Sequence, residues 1–476
     1  MGLGLRFATL GLQSYHHDEV VTAMRVIPGS FGEMLHKVRV SESTPPLYYV
    51  FAWAWSKLFG VGEVGLRSLS ALFGAATVPL GYLIGRQVLN RRTGLILAAL
   101  IAVNPMLIWY SQEARSYALL VFFAALSVLF FLRVAEGGRR LDLTGWVLSS
   151  GLALWSHYFA LFLLVPEAIV LVVALRGRLA AALTAIGALV LVALPLVPLV
   201  RDQANPTHIG WIGGMPLPER LWDSLASFAI GETGHVIAEP SRPGLAVVPL
   251  LICSLALPLI LAFGSRRERR AFSLAVGLGL AFFALATAAA LSGSDYVTER
   301  NLLPALIPLL VAVAAGFAAA DRMRLGSVAA IALCFWWVAF DLHVDRTQNL
   351  RRPDFRAVAG VLAAPRSTAR AIVTWRLGAD PIRFYLHRGA QRAFGGRAWI
   401  DEIDVVRKSS ARQLRPYLPG AFREAGLIRQ GRLEVLRFRS PRPIEVSIRN
   451  LLHLPTGFGV DAVLLEAPQG TGAEPR

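Results

Sequence analysis

From residue 65 to residue 342 the sequence repeats apolar runs near twenty residues long, and this repetition constrains the fold more than any other feature. The runs cover residues 65–85, 94–110, 117–134, 143–156, 159–175, 179–200, 242–263, 271–291, 301–320 and 325–342. A helix needs roughly 20 apolar residues to cross a bilayer, so the runs read as membrane spans. Their connections alternate in character. "GRQVLNRR", "EGGRRLD", "RGR", "SRRERR" and "DRMR" are short and arginine-rich, whereas the intervening ones carry aromatic and acidic residues. Cytoplasmic loops concentrate Lys and Arg, so the arginine-rich connections belong inside and the others outside. With 55% hydrophobic residues and a mean hydropathy of +0.53, the chain is expected to be a polytopic α-helical membrane protein of about 10–11 spans. The formal charge of +17 then belongs to topology signals and gives no reason to expect nucleic acid as a partner.

Both ends need separate treatment. The opening "MGLGLRFATLGLQ" is apolar but too short to span, which predicts a first helix whose true start lies upstream. No cleavable signal peptide is visible in it. The segment "PPLYYVFAWAWSKLF" is also short for a span, and a crossing there would invert the side of every later arginine cluster. It reads as a helix in the outer interface, with proline at its start and Trp and Tyr at headgroup depth. A membrane domain over residues 1–342 follows, with a first outer loop at 14–64.

Residues 343–476 change to a pattern of alternating helix and strand. "RRPDFRAVAGVLAAP", "GADPIRFYLHRG" and "AFREAGLI" read as helices, and "RAIVTW" and "RLEVLRFRS" as strands. The expectation is a small extracytoplasmic α/β domain. The terminal "PQGTGAEPR" reads as frayed.

Sorting the polar residues by side places an unusual set outside. Asp18 and Glu19 follow the first helix, and Glu113 and Arg115 lie in the turn "SQEARSY". His157 and Tyr158 occupy another outer turn, and Asp295, Tyr296, Glu299 and Arg300 lie in "SGSDYVTER". Each has a plain structural reading: a solvated acidic pair, a local ion pair, a packed histidine, a snorkelling arginine. Their shared depth is what points to an outward-facing site. Chemically, a carboxylate there can take a proton from an acceptor hydroxyl. Arginines can hold a lipid phosphate through bidentate bonds and stabilise the charge that grows on it as a sugar–phosphate bond breaks. One base and no covalent intermediate would invert the anomeric carbon. His16 and His17 beside Asp18 leave a divalent metal open, though adjacent side chains rarely chelate one ion together. Cys253 and Cys334 fall in apolar runs and point to neither a disulfide framework nor a thiol nucleophile.

The acidic pair "DE" after the first helix, the "PPLYY" helix, "NPMLIWYSQEARSYAL" and "ERNLLPALIPLL" resemble the polyprenyl-phosphate-sugar-dependent membrane glycosyltransferases of the C-type (GT-C) fold. The nearest branch is the protein mannosyltransferase-like family 39, with the lipid A aminoarabinose transferase as a cousin. The resemblance covers residues 1–342 and extends only loosely to the C-terminal domain. It implies Asp18 as catalytic base, with Glu19 its neighbour and Glu113 as a second acid. Arg115, His157, Tyr158, Tyr296 and Arg300 become substrate-binding candidates. The implied partners are a polyprenyl-phosphate sugar, membrane lipid and an extracytoplasmic acceptor that is protein, glycan or lipid. The expected location is the bacterial cytoplasmic membrane, with the site on its outer side. Thr44 stands where family members commonly carry a histidine before the paired prolines. Three other readings stay in view: a ligase or polymerase using a pyrophosphate-linked donor, a transporter or flippase, and a scaffold displaying the C-terminal domain. Transporters place ionisable groups near the midplane and often carry inverted repeats, neither of which this sequence shows.

Overall fold

The computed structural model describes residues 1–204, 212–234, 243–320, 324–363, 369–387, 389–409, 418, 420–454, 456 and 461–467. These form two compact units, Met1–Leu10 with Val26–Arg346 and Gly11–Arg25 with Thr347–Arg476. The segment carrying Asp18 and Glu19, expected within the first outer loop, therefore belongs to the second unit.

In the first unit the described residues of each expected apolar run are largely helical. Six helices among the described residues are long and apolar enough to cross a membrane: Glu63–Val88, Tyr117–Ala135, Arg176–Ala193, Leu245–Phe263, Arg266–Leu291 and Leu325–Arg346. Tyr158–Ala174 and Leu303–Ala319 are shorter apolar helices, and Arg140–Ser156 fills the run at 143–156. The protein is an integral membrane protein. The "PPLYY" segment forms the helix Leu47–Phe59, beginning after Pro46 as expected. The first helix, Gly2–Phe7, is only six residues long.

The run at 94–110 departs from the continuous span expected. It is two helices, Arg91–Val103 and Pro105–Ser111, bent by 56° at Asn104. Pro105 has no N–H, so the carbonyl of Ile101 loses its normal helical donor. Arg6 replaces it. Its Nη2 donates to the Ile101 carbonyl and its Nη1 to that of Ala102, both at 2.9 Å, while Nε donates to Ser111 Oγ at 3.1 Å. The guanidinium is wholly buried, and the bonds it makes account for an arginine in a place where charge is otherwise expensive. Asn104 caps the second half-helix by accepting from the Leu107 N–H at 3.1 Å. Gly74 permits the half-helix to approach, since a Cβ there would lie 2.0 Å from Ser111 Oγ.

A second polar knot joins three helices. Glu167 accepts from Ser127 Oγ at 2.5 Å and Trp146 Nε1 at 2.8 Å, and Ser127 lies 3.1 Å from Ser150 Oγ. Such bonds hold helices together where lipid removes the hydrophobic drive for association.

The second unit contains a six-stranded sheet: β1 Arg370–Trp375, β2 Gln391–Ala393, β3 Arg397–Lys408, β4 Arg423–Gln430, β5 Leu433–Ser447 and β6 Asp461–Glu466. The order is β2-β6-β1-β3-β5-β4, with β1 and β3 parallel and the other pairs antiparallel. "RAIVTW" is β1, buried along its whole length as its β-branched character predicts. The helices Phe355–Leu362 and Arg376–Leu386 pack Val358, Leu362, Ile382 and Leu386 against Ile372, Val406 and Leu464 on one face. This is the small α/β domain expected.

One element was misassigned. "AFREAGLI", expected to be helical, lies largely in edge strand β4. Its residues favour helix locally, but Gly431, at φ +60°, and Arg432 form a tight turn that lays β4 against β5. The ladder overrides local preference.

The sheet also buries charge. Arg370 Nη1 lies 2.9 Å from Asp404 Oδ2, and Arg437 Nε lies 2.7 Å from Asp404 Oδ1. Asp404→Leu would leave Arg370, 1% exposed, without its partner on β3. Breaking a buried ion pair costs about 3–5 kcal/mol, and because Glu466 on β6 still pairs with Arg370 at 2.5 Å the cost here lies at the lower end of that range. Hydrogen exchange in the full-length variant should accelerate in β1 and β3 peptides by roughly a hundred-fold or more. Unchanged protection would contradict this account of the sheet.

Candidate functional site

The broken span delivers a compact set of acids and arginines within the first unit. After the half-helix Pro105–Ser111 the chain makes a turn, with the Arg115 N–H donating to the Glu113 carbonyl at 2.8 Å. Gln112 ties this turn to the first helix, donating to the Leu5 carbonyl at 2.9 Å and to Thr9 Oγ1 at 2.8 Å. Glu113 and Arg115 are both buried. Arg115 Nη1 donates to Glu42 Oε2 at 2.8 Å, and the Tyr49 hydroxyl donates to the same oxygen at 2.5 Å. The guanidinium also stands 5.8 Å from the Tyr49 ring centroid. Arg115 is therefore held by a second acid, Glu42. Thr44 lies 3.2 Å from the Tyr49 hydroxyl, at the edge of this arrangement.

Around Glu113 stand Glu232, Glu299 and Arg300. The Tyr110 hydroxyl donates to Glu232 Oε1. Burial, with the nearby carboxylates Glu299 and Glu113, pushes Glu232 up to about 8, and Arg300 opposes the shift. Burial is the larger cause, and the crowding of acids adds to it, so the shift favours the protonated carboxyl at Glu232. His157 is the other half of the electrostatics. Burial first, then Arg115 and Arg300, lower it to about 3, so the ring is neutral. Its Nδ1 accepts from the Phe159 N–H at 3.2 Å, and its ring lies 5.9 Å from that of Tyr117.

Of the candidates in this unit, Glu113, Arg115, His157 and Arg300 thus share one electrostatic cluster. Tyr158 is anchored elsewhere, donating to Gln203 Oε1 at 2.7 Å, while Gln203 Nε2 bonds the carbonyls of Val38 and Thr44. Tyr296 is half-buried, and its carbonyl accepts from Asn301 Nδ2 at 2.7 Å. Asp295 fastens the loop: Arg220 grips both its oxygens at 2.8 and 2.6 Å, which holds the carboxyl below its usual range.

Asp18 and Glu19 lie in the second unit, on the short helix His17–Val21. Glu19 is wholly buried and doubly used. It accepts from the His16 N–H at 3.0 Å and from Arg352 Nη1 at 2.9 Å. Asp18, on the same helix, is only half-buried. Ser14 pins the segment to its own unit, donating to the Pro353 carbonyl at 2.9 Å and accepting from the Phe355 N–H at 3.0 Å. Burial lowers His16 to about 4. Among the described residues, no group of three or more His, Cys, Asp or Glu side chains is arranged to hold a metal ion.

Sequence reasoning did not single out Glu42, Glu232 and Arg352. Glu42 sits two residues before Thr44 in "SESTPP", where its closeness to the "PPLYY" helix was an available signal. Glu232 and Arg352 carried none.

Comparison with known proteins bears on this geometry. The profile of the dolichyl-phosphate-mannose-protein mannosyltransferase family matches residues 43–200, a stretch holding the broken span, Glu113, Arg115, His157 and Tyr158. The crystal structure of ArnT from Cupriavidus metallidurans, bound to undecaprenyl phosphate, superposes with a TM-score of 0.53 at 14% identity. That match covers 92% of this chain and 96% of ArnT. The chain has the GT-C fold. An oligosaccharyltransferase from Archaeoglobus fulgidus, tethered to an acceptor peptide, is similar at a TM-score of 0.50 and 15% identity, over 76% of this chain and 56% of that one. An uncharacterized protein of Aquifex aeolicus is 26% identical over 127 residues, 26% of this chain and 25% of that relative. The GT-C chain thus spans about a quarter of the length of the curated relative it matches.

The neutral histidines have a thermodynamic consequence. In the unfolded chain each would take a proton near pH 6.5, while the folded protein refuses it down to about 4 at His16 and about 3 at His157. The unfolded state then binds more protons, so each histidine lowers stability as pH falls below 6.5, by up to about 1.4 kcal/mol per pH unit. Glu232 acts in the opposite sense between 4.5 and about 8, because there the folded state holds the extra proton. Thermal midpoints of wild type and His157→Asn, measured from pH 7 to pH 5, should separate the two effects. The variant should lose less stability on acidification, and identical slopes would contradict a neutral His157.

Proposed function

We propose that the protein is an integral-membrane glycosyltransferase that moves a sugar from a polyprenyl phosphate to an acceptor outside the cytoplasm of a bacterial cell. The observation that carries this reading is the cluster in which buried Glu113 and Arg115, in the turn after a helix break, meet half-buried Glu232, Glu299 and Arg300 within a GT-C fold. The undecaprenyl phosphate bound to the structurally similar ArnT supports the class of donor. The arginine-rich connections on the opposite side support an outward-facing site.

In this reading the acceptor hydroxyl attacks the anomeric carbon as the bond from that carbon to the phosphate oxygen breaks. Asp18 takes the hydroxyl proton, and polyprenyl phosphate leaves with the bonding electrons. A single displacement of this kind inverts the anomeric centre. Arg300 supports the phosphate as its charge grows, an interaction stronger in the transition state than in the ground state. Arg115 is a positioning residue, because Glu42 and Tyr49 already fix its guanidinium. Glu19 acts likewise on the second unit: Arg352 and its own helix cap hold it, so it orients the helix that bears Asp18. Protonated Glu232 can donate a hydrogen bond to a sugar or phosphate oxygen, a role that an ionised carboxylate could not fill. Tyr158 and Tyr296 line the surrounding turns in this reading. A hexose and a pentose are both compatible with it.

Membranes holding wild type or Asp18→Asn, supplied with radiolabelled polyprenyl-phosphate mannose and then arabinose, test the proposal. Label should leave the lipid in wild type and slow by roughly 10²–10⁴-fold in the variant, the usual contribution of a general base. Equal release by both would remove Asp18 from the role of base.

A further inference from the structure

The second unit gathers more positive charge around one carboxylate than that carboxylate can offset. Asp380, in the helix Arg376–Leu386, is 3% exposed. Arg25 Nη2 lies 2.7 Å from each of its oxygens. Arg383 Nη1 stands 3.8 Å from Oδ1, and His17 Nδ1 stands 3.8 Å from Oδ2. Arg392 and Arg376 complete the group: Arg392 feels the charges of Asp380, Arg25, Arg376 and Arg383 together. Burial and those three arginines lower its guanidinium, and Asp380 alone opposes them. Arg25 and Arg383 thus stand at Asp380, and Arg392 and Arg376 lie beside them, so the guanidinium groups outnumber the carboxylate.

Arginine side chains are long, and at a surface they swing apart when like charges meet. Here two of them are tethered to backbone carbonyls. Arg383 Nε donates to the Ala390 carbonyl at 3.1 Å, and Arg392 Nη2 donates to the Arg376 carbonyl at 2.9 Å. The group is nevertheless open to solvent, with the side chains of Arg25 and Arg383 at 50% and 34% exposure. Fixed, convergent and accessible guanidinium groups with excess charge suit a dianion that accepts several hydrogen bonds at once, as a phosphate group does.

We infer that Arg25, Arg376, Arg383 and Arg392, organised around Asp380, form an anion subsite that takes a phosphate group. Asp380 is the positioning residue, since it grips Arg25 and draws Arg383 to the same point. The inference is independent of the transferase reading, because it concerns binding alone. The phosphate arrives either on a soluble ligand or on the headgroup of an anionic lipid.

The test titrates inorganic pyrophosphate into the purified full-length protein in phosphatidylcholine nanodiscs and follows the thermal midpoint. Pyrophosphate should stabilise wild type, and Arg383→Gln with Arg392→Gln should weaken its apparent affinity at least ten-fold. Arg429→Gln, on an exposed side chain beside Glu434, should leave the response unchanged. Arg376→Gln, at an exposed position, gives a milder variant that should weaken binding by a smaller factor even where the double variant folds poorly. Nanodiscs containing phosphatidylglycerol separate the two sources. A reduced pyrophosphate response in wild type alone assigns the subsite to a lipid headgroup, and an unaltered one assigns it to a soluble phosphate. A double variant and an Arg376→Gln variant that both respond as wild type does would overturn the inference.

Discussion

The membrane unit depends on a buried arginine that closes a broken helix. A proline at position 105 removes one donor and bends the span by 56°. The exposed carbonyls of Ile101 and Ala102 would be costly in an apolar interior, and Arg6 bonds both of them. By reaching Ser111 as well, the same guanidinium joins the two halves and the first helix at one point. That junction aims the half-helix Pro105–Ser111, and through it Tyr110, at Glu232, and it sets the start of the turn that holds Glu113 and Arg115. An irregular backbone at membrane depth is tolerated where protein satisfies its polar groups, and here it does so while positioning the candidate site.

Charge is then distributed so that each buried group has a defined state. Arg115 is neutralised by Glu42, Asp295 by Arg220 and Glu19 by Arg352. His157 stays neutral between two arginines. The outcome is a cluster of acids in which burial and neighbouring carboxylates raise the proton affinity of Glu232 while Arg300 opposes the rise.

Much of this was legible in the sequence. The spans follow from apolar length and the arginine alternation, which depend on composition over twenty residues and so survive local irregularity. The α/β character of the C-terminal region follows from short β-branched and amphipathic segments such as "RAIVTW". The break at Asn104–Pro105 was readable as a proline but not as a bend, because Arg6, which makes it affordable, comes from a distant part of the chain. β4 was misread for the same kind of reason, since its strand state is set by pairing with β5 and not by its own residues. Among the candidates, Glu113, Arg115, His157 and Arg300, which the sequence places in turns on one expected side, come together in one electrostatic cluster. Glu42 and Glu232 were not singled out, since a carboxylate in a polar loop has no periodicity to betray its burial. Placing Glu19 in a buried pair with Arg352 required the fold, because the two residues are 333 positions apart in the sequence.

Under the proposed function, Arg300 of this GT-C chain holds a lipid phosphate. Native mass spectrometry of the purified protein, offered undecaprenyl phosphate and undecaprenol at equal concentration, tests it most directly. The two lipids share their tail and differ in the phosphate. The account predicts that undecaprenyl phosphate remains bound while undecaprenol is lost, and that Arg300→Gln abolishes the difference. Equal retention of both lipids by the wild-type protein would contradict it.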